Sequence, residues 1–125
     1  MERRYRLQRK ERSDYMTEQV TRKAYIALFN LLDSRYDKTQ DGELGRLLSG
    51  MNPNMFFDDV SADSACYEDF CECSMLYKED NIRDAYRTSV DFLNLYCNEF
   101  GFDIKSIVED IALDEYINVF DNANL

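Results

Sequence analysis

The sequence contains no histidine, and this absence removes several kinds of catalytic and metal-binding site. Histidine is the commonest general base, the commonest metal ligand and the base that activates Ser-His and Cys-His nucleophiles. Without it, the chain also lacks the paired-histidine helix of metalloproteases and the two-cysteine, two-histidine zinc finger. We therefore predict a protein that is not an enzyme and that uses no cofactor.

Glycine and proline are scarce, with four Gly and one Pro in 125 residues. A β-sandwich or barrel needs turn residues about every ten positions, so the long segments without them favour helices. The glycines at 42, 45 and 50 lack the Lys and Ser/Thr that follow in a phosphate-binding loop. The chain length fits a single domain.

Long apolar segments are missing too, since no run approaches the roughly 20 residues of a membrane span. The basic N-terminus is not followed by the apolar core of a signal peptide. We expect a cytoplasmic protein that does not contact membranes. Its cysteines, Cys66, Cys71, Cys73 and Cys97, are then expected to stay reduced.

Acidic residues are abundant but unevenly distributed. The formal net charge is −10, and residues 1–12 hold six Lys/Arg against two Asp/Glu, so the rest of the chain carries −14. Such a chain repels nucleic-acid phosphates and attracts basic protein surfaces, although solubility alone also explains the charge. We expect residues 1–15 to form a basic arm, disordered or extending the first helix, and residues 16–125 to form an acidic helical domain.

Apolar residues recur at helical spacing and predict an all-α, single-domain bundle of about five helices. The first runs from about Thr17 to Tyr36, and a short second helix carries Leu44 to Met51. After an irregular loop at 52–64, Cys66 to Tyr77 form the third. Asp80 is predicted to cap a fourth helix that reaches Phe100 and stops at Gly101, and Asp103 to cap a fifth that continues through an inward-facing Ala112 to Phe120.

The segment DKTQDGEL resembles the start of a calcium-binding loop. Positions 1, 3, 5 and 6 of such a loop are Asp37, Thr39, Asp41 and Gly42. Position 12 should be a bidentate Glu, but it is Leu48, and Gly45 at position 9 has no side-chain ligand. The Asp-Gly pair is therefore interpreted as a turn between helices.

The cysteine spacing, Cys66-x4-Cys71-x-Cys73 with a distant Cys97, raises the alternative of a four-thiolate zinc site. This spacing lacks the repeated pair of zinc knuckles. Cys66, Cys73 and Cys97 fall on apolar helix faces, where a thiol packs as a small hydrophobe, and Cys71 is expected to face outward. We predict no metal site.

One segment combines aromatic and acidic residues more densely than the rest of the chain. Aromatic anchors within an acidic rim suit a surface that binds a basic protein, although core burial is the alternative for Phe70 and for one of the Phe56 and Phe57 pair. The candidate partner-binding residues are Phe56, Phe57, Asp58, Asp59, Asp63, Tyr67, Glu68, Asp69 and Glu72.

Residues 43–70 combine a short Leu-Leu helix, an aromatic-Asp loop and a Ser-Ala-Asp sequence that opens a helix with an acidic-aromatic pair. This order resembles small acidic bacterial proteins of the toxin-immunity type. The resemblance implies an immunity or inhibitor protein that binds a basic toxin or nuclease. The alternative is a phage or mobile-element anti-defence protein whose carboxylates imitate nucleic-acid phosphates. Neither function requires the chain itself to bind nucleic acid.

Overall fold

A computed structural model describes residues 17–51, 65–77 and 81–123 of the chain. Within these ranges the chain forms six α-helices and no β-strand, which confirms the all-α prediction. The helices are α1 (Glu18–Thr39), α2 (Gly42–Met51), α3 (Ala65–Ser74), α4 (Ile82–Phe100), α5 (Lys105–Asp110) and α6 (Leu113–Asn122). The predicted arm at 1–15 and the predicted loop at 52–64 lie outside the described residues.

The first helix, α1, is the central element of the bundle and contacts α2, α3, α4 and α6. Thr17 caps its start, because its hydroxyl accepts a hydrogen bond from the Val20 amide at 3.2 Å. The helix ends at Gln40, which adopts a left-handed conformation with a φ of 56°. The Gln40 amide donates to the Tyr36 carbonyl at 2.7 Å and so satisfies one of the last carbonyls of the helix.

The segment that resembles a calcium loop forms a helix end and a helix cap. The Thr39 hydroxyl donates to the Arg35 carbonyl at 3.0 Å, so this part of the segment belongs to α1. The Asp41 carboxylate accepts from the amides of Glu43 at 2.9 Å and Leu44 at 3.1 Å, which caps α2. The turn between α1 and α2 is thereby fixed by local hydrogen bonds.

Tyr25 lies at the centre of the core and joins α1 to the other helices. Its ring is fully buried and makes edge-to-face contacts with Tyr67, Phe70 and Phe92, at centroid distances of 5.1, 5.2 and 6.4 Å. Its hydroxyl donates to the Met51 carbonyl at the end of α2, at 2.8 Å. One tyrosine therefore packs against α3 and α4 and also satisfies a backbone carbonyl of α2.

The fourth helix confirms one predicted boundary and corrects another. Gly101 ends α4 in a left-handed conformation with a φ of 73°, as its sequence position predicts. The cap, however, is Asn81, whose side chain accepts from the Asp84 amide at 2.9 Å, and the predicted cap Asp80 lies outside the described residues. Phe100, in the last turn of the helix, is 54% exposed.

The predicted fifth helix is wrong as a single element, because an extended backbone at Ile111 and Ala112 divides it into α5 and α6. The Ile111 side chain is buried, and its carbonyl accepts from the Tyr86 hydroxyl at 2.8 Å. Ala112, predicted to face inward, is exposed. Asp103 does not cap α5, since Ile104 holds that position and forms no side-chain cap.

Arg35 of α1 fixes both sides of this break. Its guanidinium lies 2.6 Å from the Asp110 carboxylate of α5 and 2.6 Å from the Glu115 carboxylate of α6. The hydrogen bond with Asp110, above all, raises the pKa of Arg35. Two carboxylates on one guanidinium hold the two short helices at a defined angle to α1.

The last helix closes the core against α1. The fully buried Tyr116 donates a hydrogen bond to the Ala24 carbonyl at 3.1 Å, across 92 positions of sequence. Its hydroxyl lies 3.1 Å from the Ser89 hydroxyl of α4, so one group links three helices. Burial raises the pKa of Tyr116. Among the described helices, none is long and apolar enough to cross a membrane.

Candidate functional site

The predicted partner-binding surface is only partly within the described residues. Phe56, Phe57, Asp58, Asp59 and Asp63 lie outside them. The remaining four residues share α3 but differ in exposure: Glu68 is exposed, whereas Tyr67, Asp69 and Glu72 are half-buried.

Tyr67 lies at the edge of the core. Its ring packs edge-to-face on Tyr25 at 5.1 Å. Burial, together with the neighbouring Cys71 thiol, raises the pKa of Tyr67. The hydroxyl oxygen of Tyr67 is itself buried.

Two carboxylates between α3 and α4 accept hydrogen bonds from tyrosines. The Tyr96 hydroxyl donates to the Asp69 carboxylate at 2.6 Å, and the Tyr77 hydroxyl donates to the Asp91 carboxylate. We call these four residues the α3–α4 face. Burial first, and then hydrogen bonds to Asp69 and Cys66, raise the pKa of Tyr96. The acids of this face therefore contribute to the packing of two helices.

The cysteines near this face form no disulfide, although all four lie in the described ranges. Burial, aided by the charges of Asp91, Asp69 and Glu72, raises the pKa of Cys73 to about 12. A thiol with so high a pKa is a poor nucleophile and a poor metal ligand at neutral pH. Across the parts of the chain that are described, no three His, Cys, Asp or Glu side chains are grouped to hold a metal ion.

A groove lies between α1 and α2. Its volume is about 590 Å³, and it is open to solvent along its length. We call it the α1–α2 groove, and its lining residues are Phe29, Asp33, Tyr36, Gly42, Gly45, Arg46, Leu48 and Ser49.

One wall of the groove carries an acidic residue between two aromatic residues. Phe29, Asp33 and Tyr36 occupy positions i, i+4 and i+7 of α1, which places them on one side of the helix. Both rings are half-buried against the edge of the core, and Asp33 is exposed. The Asp33 carboxylate makes no ion pair or hydrogen bond with the described residues.

The opposite wall depends on a glycine. A Cβ atom at Gly45 would lie 2.9 Å from Cε1 of Tyr36, which is closer than a Cβ atom normally comes to another atom. The absence of a side chain at this position of α2 lets the Tyr36 ring lie directly against the helix. Tyr36, Gly45 and Asp33 all line the groove.

The cation on this wall, Arg46, already contacts other residues of the chain. The Arg46 guanidinium lies 2.9 Å from the Glu43 carboxylate and 4.0 Å from the centre of the Phe102 ring. Glu43 also accepts a hydrogen bond from the Asp103 amide at 3.3 Å, and these contacts with Arg46 and Asp103 lower the pKa of Glu43. Arg46 is thus directed towards the turn after α4, and Asp33 keeps its charge uncompensated.

Sequence reasoning missed this groove, because the helical spacing of apolar residues assigns Phe29 and Tyr36 to the widened apolar stripe of α1. The i, i+4, i+7 order of an aromatic, an acid and an aromatic was a detectable signal. The groove itself depends on the angle between α1 and α2, which the sequence pattern does not specify.

Comparisons with protein-family models, with curated proteins and with solved structures find no match to this chain.

Proposed function

We propose that this chain is a non-enzymatic module that binds a basic protein, and most concretely an immunity or inhibitor protein that covers the basic active face of a toxin or nuclease. The observation that carries the proposal is an excess of exposed carboxylates without a cationic partner. Within the described residues, those that are exposed and form no ion pair are Asp33, Asp37, Glu99, Asp103, Glu109, Asp114 and Asp121.

Four of the eight cations in the described residues, Lys23, Lys38, Arg83 and Lys105, form no ion pair, so the seven carboxylates outnumber them. Arg22, Arg35, Arg46 and Arg87 are each held by a carboxylate of the chain. A surface with this imbalance accelerates the approach of a basic protein and disfavours acidic ones, and both effects weaken as salt is raised. Tyrosine and phenylalanine at the edges of the helices supply the aromatic contacts that hold such a partner.

The experiment is affinity capture from a lysate of the organism that encodes the chain, at low salt and again at about 0.5 M salt. We expect one basic protein, whose activity the purified chain inhibits in a stoichiometric complex. Co-expression should protect cells from that protein.

Charge reversal provides the matched variants. Asp114→Lys and Asp121→Lys should each weaken the complex about two- to fivefold if α6 lies at the contact, because exposed charges contribute modestly. Exchanging Asn118→Gln on the same helix is the uncharged control. A partner indifferent to salt and to every reversal, or no partner at all, would contradict the proposal.

A further inference from the structure

We propose that the α1–α2 groove binds an arginine side chain of the basic partner, with Asp33 as its carboxylate and with Phe29 and Tyr36 as flanking aromatic surfaces. This inference rests on the proposed function, since it names the position at which the partner is held.

The charge in the groove favours a cation. Asp33 is exposed and uncompensated, and Asp37, one turn further along α1, is also exposed and forms no ion pair with the described residues. Arg46, across the groove, is neutralised by Glu43 and covered by Phe102. Among the residues that line the groove, a cationic side chain that enters therefore meets one carboxylate and no unpaired cation, since Lys38, beside Asp37, lies outside the lining.

The aromatic surfaces favour arginine over lysine. Neither the Phe29 ring nor the Tyr36 ring stacks on another ring or on a cation of the described residues. A planar guanidinium can lie on such a ring while it donates two hydrogen bonds to a carboxylate, and it is less strongly hydrated than an ammonium group. The chain already uses this contact, in the stacking of Arg46 on Phe102.

The space is sufficient for a long side chain and the backbone that carries it. At about 590 Å³ the groove lies within the usual range of ligand-binding clefts. Gly45 keeps it open, because any side chain there displaces the Tyr36 ring. Phe29 and Leu48 supply apolar surface for the methylene stem of the arginine.

The test is an NMR titration of the whole chain with three short peptides of the form acetyl-Gly-X-Gly-amide, in which X is arginine, lysine or citrulline. Citrulline has the shape of arginine without its charge. We expect amide shifts confined to Phe29, Asp33, Tyr36 and Gly45, the tightest binding for arginine, weaker binding for lysine and the weakest for citrulline.

Two variants and one control locate the site. Asp33→Asn should weaken arginine-peptide binding about threefold, the scale of an exposed ion pair, whereas Asp37→Asn, on the same helix but outside the lining, should change it less. Gly45→Ala should also weaken binding, because the Tyr36 ring is pushed aside. Alanine's higher helix propensity offsets part of that strain. If this variant does not fold, Asp33→Asn alone tests whether the groove binds the arginine peptide.

Several results would overturn the proposal: shifts spread over all exposed carboxylates, equal binding of the citrulline peptide, or no effect of Asp33→Asn. The captured partner separates this inference from the function on which it rests. If Asp33→Asn leaves the partner's affinity unchanged while salt still weakens it, the groove is wrong and the function stands. If no partner is captured but the arginine peptide still binds only in the groove, the function fails and the arginine site stands.

Discussion

The α3–α4 face and the α1–α2 groove are built from the same residue types, tyrosine or phenylalanine beside aspartate, but they differ in what the acids contact. On the α3–α4 face, Asp69 accepts from the Tyr96 hydroxyl, so its carboxylate belongs to helix packing. In the groove, Asp33 lies beside Tyr36 without a bond to it. An acidic-aromatic composition thus stabilises the fold in one place and lines an open groove in another, depending on whether a tyrosine hydroxyl contacts the carboxylate.

The two regions should differ most in the free energy of unfolding that is lost when one aromatic ring is removed from each. Phe70 is fully buried, 5.2 Å from the Tyr25 ring and 5.5 Å from the Phe92 ring. Phe70→Ala should therefore lower the free energy of unfolding by about 3–5 kcal/mol. Phe29→Ala, at the half-buried edge of the groove, should cost about 1 kcal/mol, because less area leaves the core. Urea denaturation measures both, and equal losses would contradict the comparison.

Removing one tyrosine hydroxyl from each region should produce a smaller difference in the free energy of unfolding. Tyr96→Phe leaves the half-buried Asp69 carboxylate without its donor at 2.6 Å. This should lower the free energy of unfolding by about 1–3 kcal/mol. Tyr36→Phe should change it by no more than about 0.5 kcal/mol, since the Tyr36 hydroxyl bonds to none of the described residues. A loss above 1 kcal/mol in the second variant would show that the groove, too, is part of the packing.

The smallest effect appears only in alkali. Burial, and then the hydrogen bond and charge of Asp91, raise the pKa of Tyr77 from 10.0 to about 12. Because the folded pKa exceeds the unfolded value, this stabilisation is complete below pH 10 and is lost as the pH rises through about 12. Tyr77→Phe should lose less stability across that window than the unmodified chain. The urea midpoint measured on both sides of pH 10 tests this, and parallel curves would refute it.

Local sequence patterns were sufficient for most of the fold. The apolar stripe of α1 and the glycine at 101 predict a long helix and a left-handed stop, because both depend on residues close in sequence. The break between α5 and α6 was missed for the opposite reason. Its stabilising groups, the Tyr86 hydroxyl and the Arg35 guanidinium, come from other helices.

The groove, like the break between α5 and α6, could not be predicted from residues close in sequence. The order of Phe29, Asp33 and Tyr36 is visible in the sequence, but it is equally typical of a helix edge. These residues line a groove because Gly45 leaves room for the Tyr36 ring. The Asp33 carboxylate stays unpaired because Arg46 forms its ion pair with Glu43 instead. The contact of Gly45 with Tyr36 joins two helices, and composition does not encode it. Glu43 and Arg46, by contrast, are an i, i+3 pair within α2 that the sequence does show. The part of the predicted surface at 56–63 lies outside the described residues and stays a prediction.

The hydrogen bond from Tyr116 to the Ala24 carbonyl spans 92 positions and has a consequence for synthesis on the ribosome. Helices α1 to α4 can associate while the chain is still growing, but the side of α1 that α6 covers stays open until Tyr116 has emerged. Contacts between distant residues form late and make folding cooperative. A nascent chain halted before α6 is therefore expected to expose the side of α1 that α6 covers.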